Sequence, residues 1–376
     1  MTTRRSLTRK RRKLAAAASA AALATVGFAG LGPVGPVESV GASNEARPKL
    51  ADPDQYYGSD GYWYTYATTL KGVNGCGVGP VWNTFHVPVI KASGSSLNNE
   101  CIDGDAMPSG PGSWAEGDIW APSIAYFNGT YFLHYTATKA GTASAQYPNG
   151  HKCIGRATSS SPMGPFTNQQ EFACPPAGRW AIDPDVYVGS EGVFLTYRDD
   201  AIATSASTGP NWLNESGMSA VQLNSSGHAI WSTRRDLLLS TDVGWEAAGS
   251  KNLVENPSYF KHDGRFYLVF SGNAWRSKNY AVGIADCGTS ALPASRCKPL
   301  ISAAQPYYAY SGSVHSPARL LPGNHPGPGA MSVTSTYKGT STNVTWHWFE
   351  GLGPESDTRR IKSGVITNSS GYFNVS

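Results

Sequence analysis

The sequence predicts an all-β fold, a five-bladed β-propeller, from its composition and from a repeated hairpin. The 376 residues include 42 Gly, 25 Pro, 11 Trp, 19 Tyr and 12 Phe, whereas only 15% are charged. Such a composition favours short strands joined by many turns over a helical protein. One hairpin pattern occurs five times, with successive starts 68, 63, 72 and 75 residues apart. These intervals leave room for four strands per repeat, which is the size of a propeller blade.

The first 29 residues are predicted to be a secretion signal that is not part of the fold. Seven Arg and Lys residues precede an Ala-rich apolar run from Leu14 to Ala29, which is short for a membrane span. Removing these seven from the 30 basic residues leaves 23 against 26 acidic ones, so the charge of +4 belongs to the signal. We therefore expect a secreted protein, with no nucleic-acid partner and no membrane association.

Residues 30–49 are rich in Gly, Pro, Val and Ser without periodicity, which indicates a disordered linker. We expect the propeller to occupy residues 50–376 as one domain and the protein to be a monomer. Export permits disulfides, and the six cysteines fall in sequence-close couples. The local pairing is one of fifteen formal alternatives, and it joins Cys76 to Cys101, Cys153 to Cys174 and Cys287 to Cys297. None of the spacings is CxxC, so no zinc site is expected.

Each hairpin has an apolar or aromatic arm, a turn that ends in glycine and a second arm rich in aromatic and β-branched residues. In chain order they are DPDQYYGSDGYWYTYAT from Asp52, WAPSIAYFNGTYFLHYTAT from Trp120, DPDVYVGSEGVFLTYRD from Asp183, ENPSYFKHDGRFYLVFSGN from Glu255 and AMSVTSTYKGTSTNVTWHW from Ala330.

Three of these five starting residues are carboxylates, and each starting residue lies nine positions before the glycine of its turn. The innermost strands of a propeller line its central channel, so equivalent residues of successive blades converge there. A single Asp before Pro is more often a turn initiator than a catalytic group. Three acids in one register instead favour a shared acidic pocket.

In its motifs the chain resembles glycoside hydrolase family 43, the five-bladed propeller enzymes that act on arabinan and xylan. The motifs are Asp52-Pro53, Trp120-Ala121-Pro122, the segment Ser161–Phe166 (SPMGPF), Ile182-Asp183-Pro184 and Glu255-Asn256-Pro257. Each motif is weak alone, but together and in this order they cover the chain from Asp52 to about Gly351. The family usually has Glu-Gly-Pro at the last motif, a change that leaves the acid in place.

The resemblance implies that Asp52 is the general base, Glu255 the general acid, and Asp183 the residue that orients Glu255 and tunes its pKa. The chemistry fits, since an inverting hydrolase needs an ionised and a protonated carboxyl roughly 6.5 to 9.5 Å apart. A third acid beside Glu255 would raise its pKa by repulsion between like charges.

Three further residues are candidates for substrate binding. Trp120 offers a flat apolar face to a sugar ring, although a Trp before Pro is equally an ordinary core residue. Arg198 and Arg276 follow the inner strands of blades three and four and could bind sugar hydroxyls or a carboxylate, with a surface role as an equal alternative for either.

No cofactor is expected to be required, and a structural calcium ion is an open question. The family often carries a His after Gly-Pro-Gly in blade five that helps hold calcium or its waters. Here Gly327-Pro328-Gly329 is followed by Ala330, which has no ligand atom. His315 and His325 are the nearby alternatives, although a lone His is more often a loop or core residue.

The sequence thus predicts an inverting glycoside hydrolase that acts on arabinose- or xylose-containing plant cell-wall polysaccharides or oligosaccharides. Arabinofuranosidase, arabinanase and β-xylosidase activities all stay open, as does exo or endo action. One rival is a non-catalytic sugar-binding propeller, whose signature would be the loss of an acid. The other is a retaining fructoside hydrolase, against which the absence of Asn-Asp-Pro-Asn and Arg-Asp-Pro motifs speaks.

Overall fold

Four antiparallel strands form each blade in the described part of the chain, built in chain order around one of the predicted hairpins. This computed structural model describes residues 49–73, 82–97, 102–145, 147–176, 178–203, 215–245, 253–351 and 358–376. The predicted signal, the linker apart from Lys49, and the predicted partners Cys76 and Cys101 lie outside the described residues. Within the described residues, no helix is long and apolar enough to cross a bilayer.

The strands of the first three blades occur in the order that the hairpin repeat predicts. The first part comprises β1 (Asp54–Tyr57), β2 (Trp63–Tyr66), β3 (Leu70–Val73), β4 (Trp82–Phe85), β5 (Pro88–Ala92) and β6 (Gly104–Asp105), of which β3 and β4 pair only with each other. Blade two comprises β7 (Ala115–Phe127), β8 (Thr130–Lys139), β9 (Lys152–Ser159) and β10 (Thr167–Ala173). Blade three comprises β11 (Ala181–Gly189), β12 (Gly192–Asp199), β13 (Gly217–Leu223) and β14 (Arg235–Leu239).

Blade four comprises β15 (Val254–His262), β16 (Arg265–Gly272), β17 (Ala281–Gly288) and β18 (Lys298–Pro299), and blade five comprises β19 (Gly329–Thr336), β20 (Gly339–Phe349), β21 (Arg359–Ser369) and β22 (Tyr372–Val375). The remaining regular elements among the described residues are 3-10 turns at Asp200–Ile202, Trp231–Thr233 and Ser240–Asp242. Strands β1 and β19 pair in parallel, so the first and last blades form one eight-stranded sheet. The all-β propeller prediction is confirmed.

The hydrophobic core lies between neighbouring blades. Because side chains alternate between the two faces of a strand, each inner strand contributes apolar residues to both of its neighbours. Thus Tyr187 of blade three packs with Phe266 of blade four, whereas Val186 joins the cluster shared with blade two. Two predicted disulfides, Cys153–Cys174 in blade two and Cys287–Cys297 in blade four, are confirmed.

The hairpin turns reveal that the counted register mixes two structural positions. In blade four the glycine is the second residue of a two-residue turn, since His262 pairs with Arg265 across Asp263-Gly264, and blade two is built alike. In blade three the glycine already belongs to the return strand, because Gly192 pairs with Gly189, and blade five is built alike. Counting back from glycine therefore reaches one residue further upstream in blades two and four.

The backbone itself marks the equivalent position of every blade with a positive φ angle. These residues are Asp52 (50°), Ala121 (40°), Asp183 (54°), Asn256 (51°) and Ala330 (46°). Non-glycine residues rarely adopt this left-handed conformation, and when they do they cluster at functional sites. In blades two to five the ladder between the two inner strands also shifts register here. Each inner strand is thus kinked where it meets the central channel.

Candidate active site

Three consecutive positions of each blade line the central channel. They are residues 52–54, 121–123, 183–185, 256–258 and 330–332. The kinked residue comes first in each set, and Trp120 and Glu255 immediately precede the sets of blades two and four. Asp52 and Asp183 therefore share one structural position, whereas Glu255 enters from the position before it.

Asp52 is held as a carboxylate by three side chains. Arg359 Nη1 donates to Asp52 Oδ1 at 3.1 Å, and Thr68 Oγ1 donates to Oδ2 at 2.6 Å. His347 Nδ1 lies 3.3 Å from Oδ1 and 3.2 Å from the backbone nitrogen of Asp52. Burial by itself raises the pKa of Asp52, but Arg359, His347 and Thr68 together hold it well below its ordinary value. The carboxyl of Asp52 is therefore strongly biased towards the ionised form.

Glu255 is buried between a cation and a phenol. Arg198 Nη1 donates to Glu255 Oε2 at 3.1 Å, and the Tyr280 hydroxyl lies 2.9 Å from Oε1. Burial raises the pKa of Glu255, with partial opposition from Arg198 and Tyr280 and a further rise from the charge of Asp52. The carboxyl is therefore biased towards the protonated form.

The Tyr280 hydroxyl can satisfy Glu255 in either protonation state. It lies 2.8 Å from Asn256 Oδ1 as well as 2.9 Å from Glu255 Oε1, and it carries one hydrogen. When Glu255 is ionised, Tyr280 can donate to it. When Glu255 is protonated, it can donate to Tyr280, which then donates to Asn256. The position of Tyr280 depends on Gly329, where an added Cβ would come within 1.9 Å of the ring.

Asp183 is tied to the backbone of the residue that follows Glu255. Its Oδ2 accepts the N–H of Asn256 at 3.3 Å, and its own N–H donates to Thr136 Oγ1 at 3.0 Å. Burial raises the pKa of Asp183 well above its ordinary value, and the charges of Glu255 and Asp52 add to this rise. Repulsion from Glu255 thus raises the pKa of Asp183, and the two carboxyls titrate as a pair.

A second pair of acids, which the sequence reasoning did not single out, lies two residues further along the channel wall. Ser332 Oγ is 2.8 Å from Asp54 Oδ1 and 2.9 Å from Asp185 Oδ2. A single hydroxyl hydrogen cannot serve both acceptors. Burial raises the pKa of Asp54 to about 6 and that of Asp185 well above its ordinary value. One of these carboxyls can therefore carry a proton and donate it to Ser332.

The predicted binding residues have different surroundings. Trp120 is half-buried beside the channel, with Lys152 Nζ 3.9 Å from its ring centroid. Arg198 is fully buried and binds the carboxylates of Glu255 and Asp200. Arg276 is exposed and stacks on Trp275, with its guanidinium carbon 4.5 Å from the ring centroid.

Sequence reasoning missed His347, Arg359 and Tyr280. His347 had a findable signal, since it lies in the return arm of the fifth hairpin and pairs there with Gly329. Arg359 lies in the third strand of blade five, 307 residues from Asp52, and Tyr280 is 25 residues from Glu255. No local pattern marks either of the latter two.

The residues proposed as calcium ligands do not line the channel. His315 Nε2 lies 3.1 Å from the Asn279 carbonyl oxygen, and His325 stacks on Trp348 with ring centroids 3.8 Å apart. His347 Nε2 is buried and has no hydrogen-bond partner among the described residues, but it is a single nitrogen, whereas calcium takes about six to eight oxygens. The described part of the chain contains no cluster of three or more His, Cys, Asp or Glu that would hold a metal. No chemical step is therefore assigned to calcium.

Comparisons with known proteins agree with this arrangement. The profile of the glycosyl hydrolases family 43 matches residues 47–339. The chain is 34% identical over 84 residues to xylosidase/arabinosidase 43A of Humicola insolens, covering 22% of each protein. It is 22% identical over 328 residues to an extracellular exo-α-(1→5)-L-arabinofuranosidase of Streptomyces avermitilis, covering 82% of this chain and 56% of that one.

The chain thus spans less than two thirds of the length of both curated relatives. Among solved structures, an α-L-arabinofuranosidase from Lactobacillus brevis superposes with a TM-score of 0.62 at 19% identity, covering 88% of this chain and 95% of that one. At this identity the likeness supports the fold.

Proposed function

This chain belongs to glycosyl hydrolase family 43, and on that premise we propose that it is an inverting glycoside hydrolase. Its substrates would be arabinose- or xylose-containing plant cell-wall polysaccharides or oligosaccharides. Both curated relatives carry arabinosidase or arabinofuranosidase in their names, and one is described as extracellular. That description and the basic, Ala-rich N-terminus together support secretion.

The observation that carries the proposal is the opposite protonation bias of two buried carboxyls on one channel. The pKa of Asp52 is lowered by Arg359 and His347, whereas the pKa of Glu255 is raised by burial. An inverting hydrolase needs this combination of an ionised base and a protonated acid. Because the charge of Asp52 raises the pKa of Glu255, the bias of Glu255 depends on the assembled site.

In this mechanism Asp52 accepts a proton from a water molecule that attacks the anomeric carbon. Glu255 gives its proton to the departing glycosidic oxygen on the opposite side of the sugar. Glu255 then becomes a carboxylate, which Arg198 and Tyr280 stabilise through the hydrogen bonds described above. Asp183 orients the segment of Glu255 by accepting the N–H of Asn256.

The experiment compares Asp52→Asn and Glu255→Gln on aryl arabinofuranosides and aryl xylosides. Each sugar is tested with a good leaving group and with a poor one. General acid or base catalysis contributes about 10²- to 10⁴-fold, so both variants should lose that much kcat on the poor leaving group. On the good leaving group, Glu255→Gln should recover much of its activity, because that departure needs no proton. Asp52→Asn should stay inactive on both.

Asp263→Asn is a matched control, because its side chain is 86% exposed in the turn of blade four, and it should leave the rates unchanged. NMR of the first-formed anomer reports stereochemistry. Equal losses of Glu255→Gln on both leaving groups, or a retained anomer, would contradict the assignment. A wild-type protein that binds these sugars without cleaving any of them would instead be a sugar-binding propeller.

A further inference from the structure

A cleft separate from the channel lies between blades two and three. Its described lining comes from the end of blade two, with Phe172, Cys174 and Pro175, and from blade three, with Tyr197, Asp199, Trp231 and Arg234 among others. None of the described lining residues also lines the central channel. The cleft has a volume of about 380 Å³, within the range of about 300 to 1,000 Å³ typical of small-molecule sites.

Trp231 presents an aromatic surface to this cleft. The residue is 48% exposed, whereas Trp is highly buried on average. The 3-10 turn that carries it is fixed by Thr233 Oγ1, which donates to the Ile230 carbonyl at 2.7 Å and accepts the N–H of Gln222 at 3.0 Å. Phe172 supports the ring from blade two, with centroids 5.9 Å apart. The indole is thus held at the surface by a built turn.

The two charged groups in the described lining of the cleft form one ion pair. Asp199 is buried, and its carboxylate accepts the N–H of Ala201 at 3.0 Å, the hydroxyl of Ser219 at 2.9 Å and a charged hydrogen bond from Arg234. Arg234 keeps 32% of its side chain exposed, although its Nε is buried and has no acceptor within the described part of the chain. Its planar guanidinium carries five N–H donors, more than one carboxylate uses.

This combination selects the class of ligand. The described lining contains one acid and one base, so the cleft offers no net positive charge to a phosphate or carboxylate. An aromatic face beside a fixed planar donor and a carboxylate suits a neutral ring with apolar C–H faces and hydroxyls at its edge. We propose that this cleft is a second carbohydrate-binding site, which holds a chain segment of the polysaccharide outside the catalytic channel.

The backbone relates the two sites. Arg198 and Asp199 are successive residues of β12, so their side chains point to opposite sides of the strand. Arg198 binds Glu255, whereas Asp199 binds Arg234 at the cleft. Ala181, which lines the cleft, lies two residues before Asp183 and pairs with Asp199. A polymer held in the cleft therefore lies at the end of blade three that carries the candidate catalytic groups.

The choice of polysaccharide as ligand rests on the proposed function, and the test keeps the two apart. Binding is measured by affinity electrophoresis in gels that contain soluble arabinan or arabinoxylan, with Glu255→Gln as the parent so that the polymer persists. Adding Trp231→Ala should weaken retention about tenfold, a typical loss for one aromatic contact, while Trp231→Phe should restore part of it. Tyr372→Ala is the matched control, because that ring is 51% exposed on β22, away from the cleft.

In the wild-type background, Trp231→Ala should leave kcat/KM on an aryl monosaccharide glycoside unchanged. The proposal is overturned if the polymer binds equally with and without Trp231, or if the parent binds neither polymer. It is also overturned if Trp231→Ala lowers kcat/KM on the small substrate as much as it weakens polymer binding. Binding that depends on Trp231 in a protein that cleaves no aryl glycoside supports the cleft and rejects the hydrolase. Cleavage of the aryl glycosides together with polymer binding that does not depend on Trp231 supports the hydrolase and rejects the cleft.

Discussion

Replacing Arg359 with Met should change the pH dependence of the proposed reaction through Asp52. The two groups are 3.1 Å apart and only 18% and 15% exposed, so solvent screens their attraction weakly. Opposite charges about 4 Å apart attract by about 4 kcal/mol at an effective dielectric constant of 20. Neighbouring charges of this kind typically lower a carboxyl pKa by about 1 to 3 pH units. Loss of Arg359 should therefore raise the pKa of Asp52 by a similar amount, because burial, which favours the neutral acid, is then less opposed.

The assay is kcat/KM on an aryl glycoside from pH 2.5 to pH 8, because the acid limb of this profile reports the free base. The ratio of Arg359→Met to wild type should fall as the pH is lowered and approach a constant at high pH. Arg359→Lys keeps the charge and should stay near the wild-type profile. Arg360→Met is a second control, since Arg360 pairs with Glu350 and not with Asp52. A ratio that does not vary with pH would refute the assignment of Asp52 as a base held ionised by Arg359.

Two further predictions concern stability. Arg198→Ala leaves two buried carboxyls without their cation, so the free energy of unfolding measured in urea should fall by about 3 to 5 kcal/mol. Arg265→Ala breaks an exposed ion pair and should leave the urea midpoint near that of the wild type. Equal midpoints for the two variants would contradict this prediction. Burial raises the pKa of Asp54 from 3.8 to about 6, so its stabilising contribution is full below the lower value and is lost as the pH rises to the higher one. Between pH 4 and pH 7 the free energy of unfolding of Asp54→Asn should therefore rise by about 3 kcal/mol relative to that of the wild type. Parallel curves of stability against pH for the two proteins would show that Asp54 does not titrate in this range.

Much of the architecture was readable from local pattern. The two arms of each hairpin, their turns and the disulfides of blades two and four depend on residues close in sequence. Strand periodicity and turn chemistry are properties of short segments, so they survive without knowledge of the rest of the chain. The sequence did not show that Glu255 lies one residue before the position that Asp52 and Asp183 share. The position of glycine within a turn depends on how the two arms pair, which local pattern does not reveal.

The candidate site was only partly accessible to the same reasoning. The three acids were found because the repeat brings equivalent positions to one channel. The sequence left sugar hydroxyls, a carboxylate or the surface open for Arg198, and in the structure its side chain is buried and binds the carboxylates of Glu255 and Asp200. Its burial follows from packing between blades three and four, which a sequence pattern does not report.

The sequence by itself determined that this protein is a repeat of antiparallel hairpins with acids at their entrances. The tertiary structure decided which acid is ionised. That difference comes from Arg359 and His347, about 300 residues from Asp52 along the chain, and from the burial of Glu255. Pairing of β1 with β19 brings the last blade against the first, and charge interactions fall off with distance in space regardless of separation in sequence.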